Sequence, residues 1–162
     1  MKIFLSLGSN MGDRILNLHK ALTLIGSHTQ IFITSESKIY ETSPMENQDQ
    51  GYFLNQIIEV QTKLPPLDLL DTVKKIESNM GRIKIRERYQ SRIIDIDILS
   101  YNELILNNKN LCIPHSKIKF RKFILKPWSD IAPNYILPNS KSSIKQLLDS
   151  ISHLRDEVRE YN

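Results

Sequence analysis

Between Arg92 and Leu99 the chain reads Arg-Ile-Ile-Asp-Ile-Asp-Ile-Leu, and this alternation is the tightest constraint on what the polypeptide can fold into. A β-strand sends successive side chains to opposite faces, so Ile94, Ile96 and Ile98 line one face while Asp95 and Asp97 share the other. With a rise of about 3.3 Å per residue, the two aspartate Cα atoms stand about 6.6 Å apart. The isoleucines anchor such a strand in a core and leave the carboxylates to reach outward. Paired carboxylates on a rigid strand suit Mg²⁺ held against phosphates, since Mg²⁺ takes one or two protein carboxylates and completes its shell with phosphate oxygens and water. A half-exposed strand with a polar face is the competing reading, because Asp is depleted in strands but not excluded from them.

The residues before the pair favour phosphate. Arg82, Lys84, Arg86, Arg88 and Arg92 crowd residues 82–92, opposed only by Glu87. The net charge of +4 and isoelectric point near 9.1 point the same way, towards an anionic partner. Lys, Ile and Asn are abundant throughout, as an AT-rich genome also produces, so part of the lysine excess carries no functional weight. Neither G-x-x-x-x-G-K-[ST] nor G-x-G-x-x-G occurs, and Gly8-Ser9-Asn10-Met11-Gly12 lacks the P-loop lysine. Phosphate binding therefore falls to arginine side chains, chiefly Arg82, Arg88 and Arg92, together with metal. Taken alone, the arginine run also reads as a solvated basic loop.

At 162 residues, 40% hydrophobic and 25% charged, the chain reads as one globular domain spanning 1–162. There is no signal-type segment at the N-terminus and no run of about 18 apolar residues, so a cytoplasmic protein with no membrane partner is expected. Cys112 is the sole cysteine and reads as a small packing residue in a reducing compartment.

Residues 2–7 read as a strand, followed by a helix carrying Ile15, Leu18, Leu22 and Ile25, with Asn10 as N-cap, Asp13 three residues on, and Gly26 as the stop. Residues 29–40 are β-rich, with a bend expected at Ser35-Glu36-Ser37, and a polar loop runs from Glu41 to Gly51. A strand with alternating faces follows over residues 53–60. Pro65-Pro66 opens a second helix with Leu69, Val73, Ile76 and Met80 in register, ended by Gly81. After the aspartate strand, Tyr101-Asn102 predicts a hairpin turn into a strand over residues 103–106. A loop through Pro114-His115, a helix near residues 121–131 and a last helix carrying Ile144, Leu147, Leu148, Ile151 and Leu154 complete the chain. The order predicts an α+β, ferredoxin-like β-α-β-β-α-β core with an added hairpin strand and C-terminal helices. Asn55 shares a strand face with Phe53, and an amide beside an aromatic ring suits a flat heterocycle with donors and acceptors at its edge. Phe53 and Phe123 also read as ordinary core residues, and His115 as a solvated loop residue.

These segments, in order, resemble the hydroxymethyl-dihydropterin pyrophosphokinases of folate biosynthesis. The likeness runs through Leu7-Gly8-Ser9-Asn10, Tyr40-Glu41-Thr42-Ser43-Pro44, Gln48-Asp49-Gln50, Phe53-Leu54-Asn55, residues 77–82, 88–99, Pro114-His115 and 121–133. The resemblance implies transfer of the pyrophosphoryl group of ATP to the hydroxymethyl oxygen of the dihydropterin, with release of AMP. It implies that Asp95 and Asp97 hold two Mg²⁺ ions and that Arg82 and Arg92 close over the phosphates. His115, Arg121, Glu77, Lys84 and Arg88 match further nucleotide contacts, and Ile98, Leu111 and Cys112 match the nucleotide pocket. Phe53 and Phe123 match the pair that sandwiches the pterin, and Thr42, Pro44, Met45 and Asn55 the positions along its edge. ATP and the dihydropterin are the implied partners of a monomer that binds no nucleic acid.

The chain departs from the family pattern at several positions. Gln90 stands where a small residue is usual, Tyr89 where Trp is common, and Lys84 for a frequent Arg, making a point charge of a bidentate contact. Asn110, Cys112 and Ser116 replace Arg, Thr and Tyr. Two other classes compete. A ferredoxin-like RNA-binding module would need the RNP1 pattern, which is missing, and two aspartates on a strand face would repel a nucleic-acid backbone. A Mg²⁺ nucleotidyltransferase would need Gly-Ser about ten residues from the Asp pair, whereas Gly8-Ser9 lies most of a chain away.

Overall fold

The computed structural model describes residues 2–43, 51–81, 91–154 and 157–162. Its elements run β1 (Ile3–Ser9), α1 (Arg14–Gly26), β2 (Ile31–Glu36), β3 (Tyr40–Thr42), β4 (Phe53–Thr62), α2 (Pro66–Asn79) and β5 (Asp95–Tyr101). After these come β6 (Leu106–Asn107), β7 (Cys112–Ile113), a 3-10 turn (Ile118–Phe120), α3 (Lys122–Ile131), α4 (Ile144–Ser150) and β8 (Val158–Glu160). The main sheet is antiparallel in the order β5-β1-β4-β3-β8, and β2 pairs with β4 beyond β3.

Strand alternation sorts the core into two halves. Ile3, Leu5 and Leu7 of β1, Leu54, Ile58 and Val60 of β4, and Ile96 and Ile98 of β5 turn to one face, where α1 and α2 add Leu18, Ala21, Ile25, Leu69, Val73 and Ile76. The other face of the same strands presents Phe4, Ile57 and Leu99 to Trp128 of α3 and to Ile144 and Leu147 of α4. Phe4 sits with its ring centroid 5.0 Å from both Trp128 and Tyr135, an aromatic cluster beneath the middle of β1. This second face changes from apolar to polar along its length. Beyond Phe4, Ile57 and Leu99 come Ser6, Gly8, Asn55, Asp97 and Asp95, in the registers Ser6↔Asp97, Gly8↔Asp95 and Gly8↔Asn55.

Several local expectations are corrected. Asp13, not Asn10, caps α1: its carboxylate accepts from the Leu16 N–H at 3.0 Å. The strand expected over residues 103–106 does not extend a hairpin from β5. The turn is there, with Asn102 at φ 47°, but the chain then forms the two-residue β6, which pairs with β7 in a separate small sheet. The bend at residues 35–37 becomes a register shift between Ile33 and Ser35, with Ser37 buried and bonded to the Ile57 N–H at 2.9 Å. The last helix stops at Ser150, short of Ile151 and Leu154. Strand β8, which the sequence reading left out, adds to β3 through Tyr40↔Glu160 and Thr42↔Val158.

Candidate active site

The carboxylate pair lies where its alternation placed it. Asp95 and Asp97 lie on the polar end of the second sheet face, with side-chain exposures of 23% and 39%, while Ile94, Ile96 and Ile98 are buried at the opposite face. Because β5 is an edge strand, the backbone of Ile96, between the two aspartates, points its N–H and C=O away from β1. Two residues of α2 satisfy that edge. Glu77 accepts from the Ile96 N–H at 2.6 Å, and Lys74 Nζ donates to the Ile96 carbonyl at 2.9 Å. Lys74 also reaches Glu77 Oε1 at 2.8 Å, Asp97 Oδ1 at 3.6 Å and Asp95 Oδ1 at 4.0 Å. Glu77 is only 2% exposed. Burial pushes its carboxyl upward from the ordinary value, against the pull of Lys74 and of the Ile96 amide. The resemblance groups Glu77 with the nucleotide contacts; its side chain is committed to holding the strand that carries the aspartates.

Arg92 enters the site from the other side. Its guanidinium forms an ion pair with Asp95. Its backbone is fixed twice by one residue: Asn10 N–H donates to the Arg92 carbonyl at 3.1 Å, and the Asn10 side-chain carbonyl accepts from the Arg92 N–H at 2.6 Å. The Gly8-Ser9-Asn10 segment thus works as an anchor for the end of the arginine-rich segment. Arg82, Lys84 and Arg88 lie outside the described residues, as do Pro44, Met45, Tyr89 and Gln90.

Asn55 and Thr42 meet across β3 and β4. Both are about 4% exposed, and the Asn55 amide donates to Thr42 Oγ1 at 2.8 Å. Gly8 sits opposite Asn55 because a Cβ there would stand 3.3 Å from the Asn55 amide oxygen, tighter than ordinary contact. Phe53, partly buried, faces Thr42 in the β3–β4 register. Tyr40, in the same row as Asn55, ties β3 to α3 by donating to the Asp130 carboxylate at 3.1 Å. Burial and the Asp130 charge push its phenol up to about 12. Phe123 lies in the first turn of α3, with the Arg121 guanidinium over its ring at 5.4 Å.

His115 follows a cis Ile113–Pro114 peptide, and its backbone N–H donates to the Leu99 carbonyl at 2.9 Å, which fixes the loop beside β5. Its Nδ1 accepts from the Lys117 N–H at 3.3 Å, leaving Nε2 as the donor of the neutral ring. Burial lowers its pKa; Asp97 opposes this, while Arg121 and Lys117 add to it. Ile98 and Leu111 are 2% and 8% exposed with side chains in the core, so what they present to a ligand is backbone. Cys112 is partly exposed, with its thiol against the Pro114 carbonyl at 3.5 Å.

Sequence reasoning missed Lys74 and Arg14. For Lys74 the only signal in the sequence is the i, i+3 spacing to Glu77. Arg14 pairs with Glu41 at 2.8 Å and donates to the Tyr52 carbonyl at 2.8 Å, joining the chain on both sides of residues 44–50. The pair of aspartates supplies hard oxygen donors, fewer than a dedicated cage needs and the number Mg²⁺ takes when phosphates complete its shell. Among the described residues no group of three or more His, Cys, Asp or Glu is placed to hold a metal by itself. No described helix is long and apolar enough to cross a membrane.

Comparison with known proteins gives a consistent result. The family model for 7,8-dihydro-6-hydroxymethylpterin-pyrophosphokinase matches residues 4–133. The chain is 36% identical over 149 residues to the 2-amino-4-hydroxy-6-hydroxymethyldihydropteridine pyrophosphokinase of Haemophilus influenzae, covering 90% of this chain and 92% of that one. It is 38% identical over 128 residues to the protein of the same name from Bacillus subtilis, covering 79% and 76%. It also matches a folic acid synthesis protein of Dictyostelium discoideum at 43% identity, over 84% of this chain but 20% of that longer protein. In fold, it superimposes on an HPPK-DHPS structure in complex with substrates with a TM-score of 0.72 at 18% identity, covering 94% of this chain and 43% of that one. The Plasmodium falciparum HPPK-DHPS gives 0.70 at 22% identity, again over 43% of the solved chain.

Proposed function

This chain belongs to the 7,8-dihydro-6-hydroxymethylpterin-pyrophosphokinase family, an ATP-dependent enzyme of folate synthesis, and on that premise we propose how its residues divide the work. It transfers the pyrophosphoryl group of ATP to the hydroxymethyl group of the dihydropterin. The hydroxymethyl oxygen bonds to the β-phosphorus, the bond from that phosphorus to the α-phosphate oxygen breaks, the hydroxyl proton is lost, and AMP leaves.

Asp95 and Asp97 are the ligands we assign to Mg²⁺, which when bound supplies positive charge to the phosphate oxygens and to the attacking hydroxymethyl oxygen. The observation that carries this assignment is two carboxylates on one face of an edge strand whose backbone is clamped by Glu77 and Lys74. Arg92, held at its backbone by Asn10, exchanges its ion pair with Asp95 for phosphate, and Arg82, Lys84 and Arg88 add to that charge. His115 offers Nε2–H to a phosphate oxygen, and Arg121 sits between the phosphate end and the aromatic end. Phe53 and Phe123 stack the pterin. Thr42 and Asn55 read its edge, with Pro44 and Met45 beside them, and the backbones of Ile98, Leu111 and Cys112 face the nucleotide. Such a site leaves the protein mainly to position and to neutralise charge, as phosphoryl transfer requires.

We read β1, α1, β2 with β3, β4, α2 and β5 as the ferredoxin-like unit, supported by the strand order β5-β1-β4-β3. We also read the chain as one domain, monomeric and cytoplasmic.

Incubation with ATP, Mg²⁺ and 6-hydroxymethyl-7,8-dihydropterin tests the assignment of chemistry. AMP and the pterin pyrophosphate are expected in equal amounts, with turnover stopped by chelation. Release of inorganic pyrophosphate instead would move the chain to the nucleotidyltransferase reading.

A further inference from the structure

Four oxygen groups surround one ammonium in this protein. Lys74 Nζ lies 2.8 Å from Glu77, 2.9 Å from the Ile96 carbonyl, 3.6 Å from Asp97 and 4.0 Å from Asp95. The first two partners fix it. Glu77 is buried, and a buried carboxylate keeps its cation because separating them strands a charge in low dielectric. The two longer distances are those of a cation beside the aspartates and not locked to them. With Arg92 paired to Asp95, the two carboxylates already face two positive side chains before any substrate arrives.

A bare divalent cation entering this cluster meets the positive charges of Lys74 and Arg92 beside the two carboxylates. A divalent cation carried by a nucleoside polyphosphate brings net negative charge, which Lys74 and Arg92 attract. Resting on the metal assignment above, we infer that Lys74 is a tethered counter-cation that keeps free divalent ions out of the Asp95–Asp97 pair and admits them with the nucleotide. Lys74 is thereby a positioning residue that sets the order of binding, while Glu77 is its tether. A unit charge 3.6 Å from the Asp97 oxygen and 4.0 Å from that of Asp95, largely screened by solvent on the exposed side, would weaken bare-ion binding by about five- to tenfold.

The test is Mn²⁺ binding to the full chain by electron paramagnetic resonance, with and without a non-hydrolysable ATP analogue. Lys74→Gln keeps an amide donor for Glu77 and the Ile96 carbonyl while removing the charge; Lys74→Met gives the same readout should that variant not fold. The neutral variant is expected to bind Mn²⁺ about five- to tenfold more tightly without nucleotide and to gain less affinity when the analogue is added. Lys74→Arg is expected to behave like the parent. Unchanged nucleotide-free affinity in the folded neutral variant, or tighter binding in Lys74→Arg as well, would overturn the inference. Asp97→Asn separates it from its premise: Mn²⁺ binding indifferent to that change removes the carboxylate site, and Lys74's role with it.

Discussion

Replacing Glu77 with alanine is expected to unfasten β5, the strand that carries Asp95 and Asp97. In the intact protein its carboxylate accepts from the Ile96 N–H at 2.6 Å and pairs with Lys74 at 2.8 Å, at 2% exposure. A hydrogen bond to an ionised group contributes about 1.5–3 kcal/mol, and its loss leaves the edge amide without its acceptor. Lys74, at 36% side-chain exposure, rehydrates in part, so the net cost is set at about 3 kcal/mol. For a chain of 162 residues that corresponds to a melting temperature about 6–12 °C lower by differential scanning calorimetry. Glu77→Gln retains an acceptor for Ile96 and costs about 1 kcal/mol. Turnover falls along with stability, because Asp95 and Asp97 flank the released residue. A Glu77→Ala protein that melts like the parent while its KM for ATP rises would refute this reasoning and make Glu77 a nucleotide ligand.

Arg92→Ala is expected to lower kcat by about a hundredfold or more, as loss of a preorganised charge contact does, with a melting temperature within a few degrees of the parent; a large thermal loss would make the residue structural. Gly8→Ala places a methyl 3.3 Å from the Asn55 amide oxygen, so the KM for the dihydropterin should rise more than that for ATP, checked by initial rates. Phe123→Ala should likewise weaken pterin binding, by about 1–2 kcal/mol in calorimetric titration, through loss of a stacking face. His115, its pKa lowered from 6.5 by burial, binds its proton more weakly folded than unfolded. Its contribution to stability is therefore full above 6.5 and is lost as the pH falls through that value to the lowered folded one. Thermal melts of His115→Asn should show a flatter acid limb than the parent.

The strands and helices that carry the site were legible because each presents a regularly spaced apolar face to the core. Ile94, Ile96 and Ile98 gave the parity of β5, and with it the shared face of Asp95 and Asp97, from alternation alone. The two helices behind the sheet announced themselves by Leu18 and Ile25, and by Leu69, Val73 and Ile76. What stayed hidden was set by long-range partners. Asn10 carries the signature of a helix cap, yet its amide is taken by Arg92, more than eighty residues later, and Asp13 caps the helix instead. Lys74 has no apolar pattern to mark it, since its role arises only when α2 lies along the open edge of β5. Strand β8 has one partly buried residue, Val158, and exists because β3 offers an unpaired edge. The expected hairpin after Tyr101 formed its turn, but the following strand found β7 as its partner.

The proposed metal site depends most on Asp97, the more exposed of the two carboxylates. Turnover of Asp97→Ala with ATP, Mg²⁺ and the dihydropterin, measured beside calorimetric binding of the pterin alone, tests it directly. AMP formation is expected to disappear while pterin affinity stays within about twofold of the parent, because the stacking residues require no metal. AMP formation at the parent rate would contradict the metal assignment at its foundation.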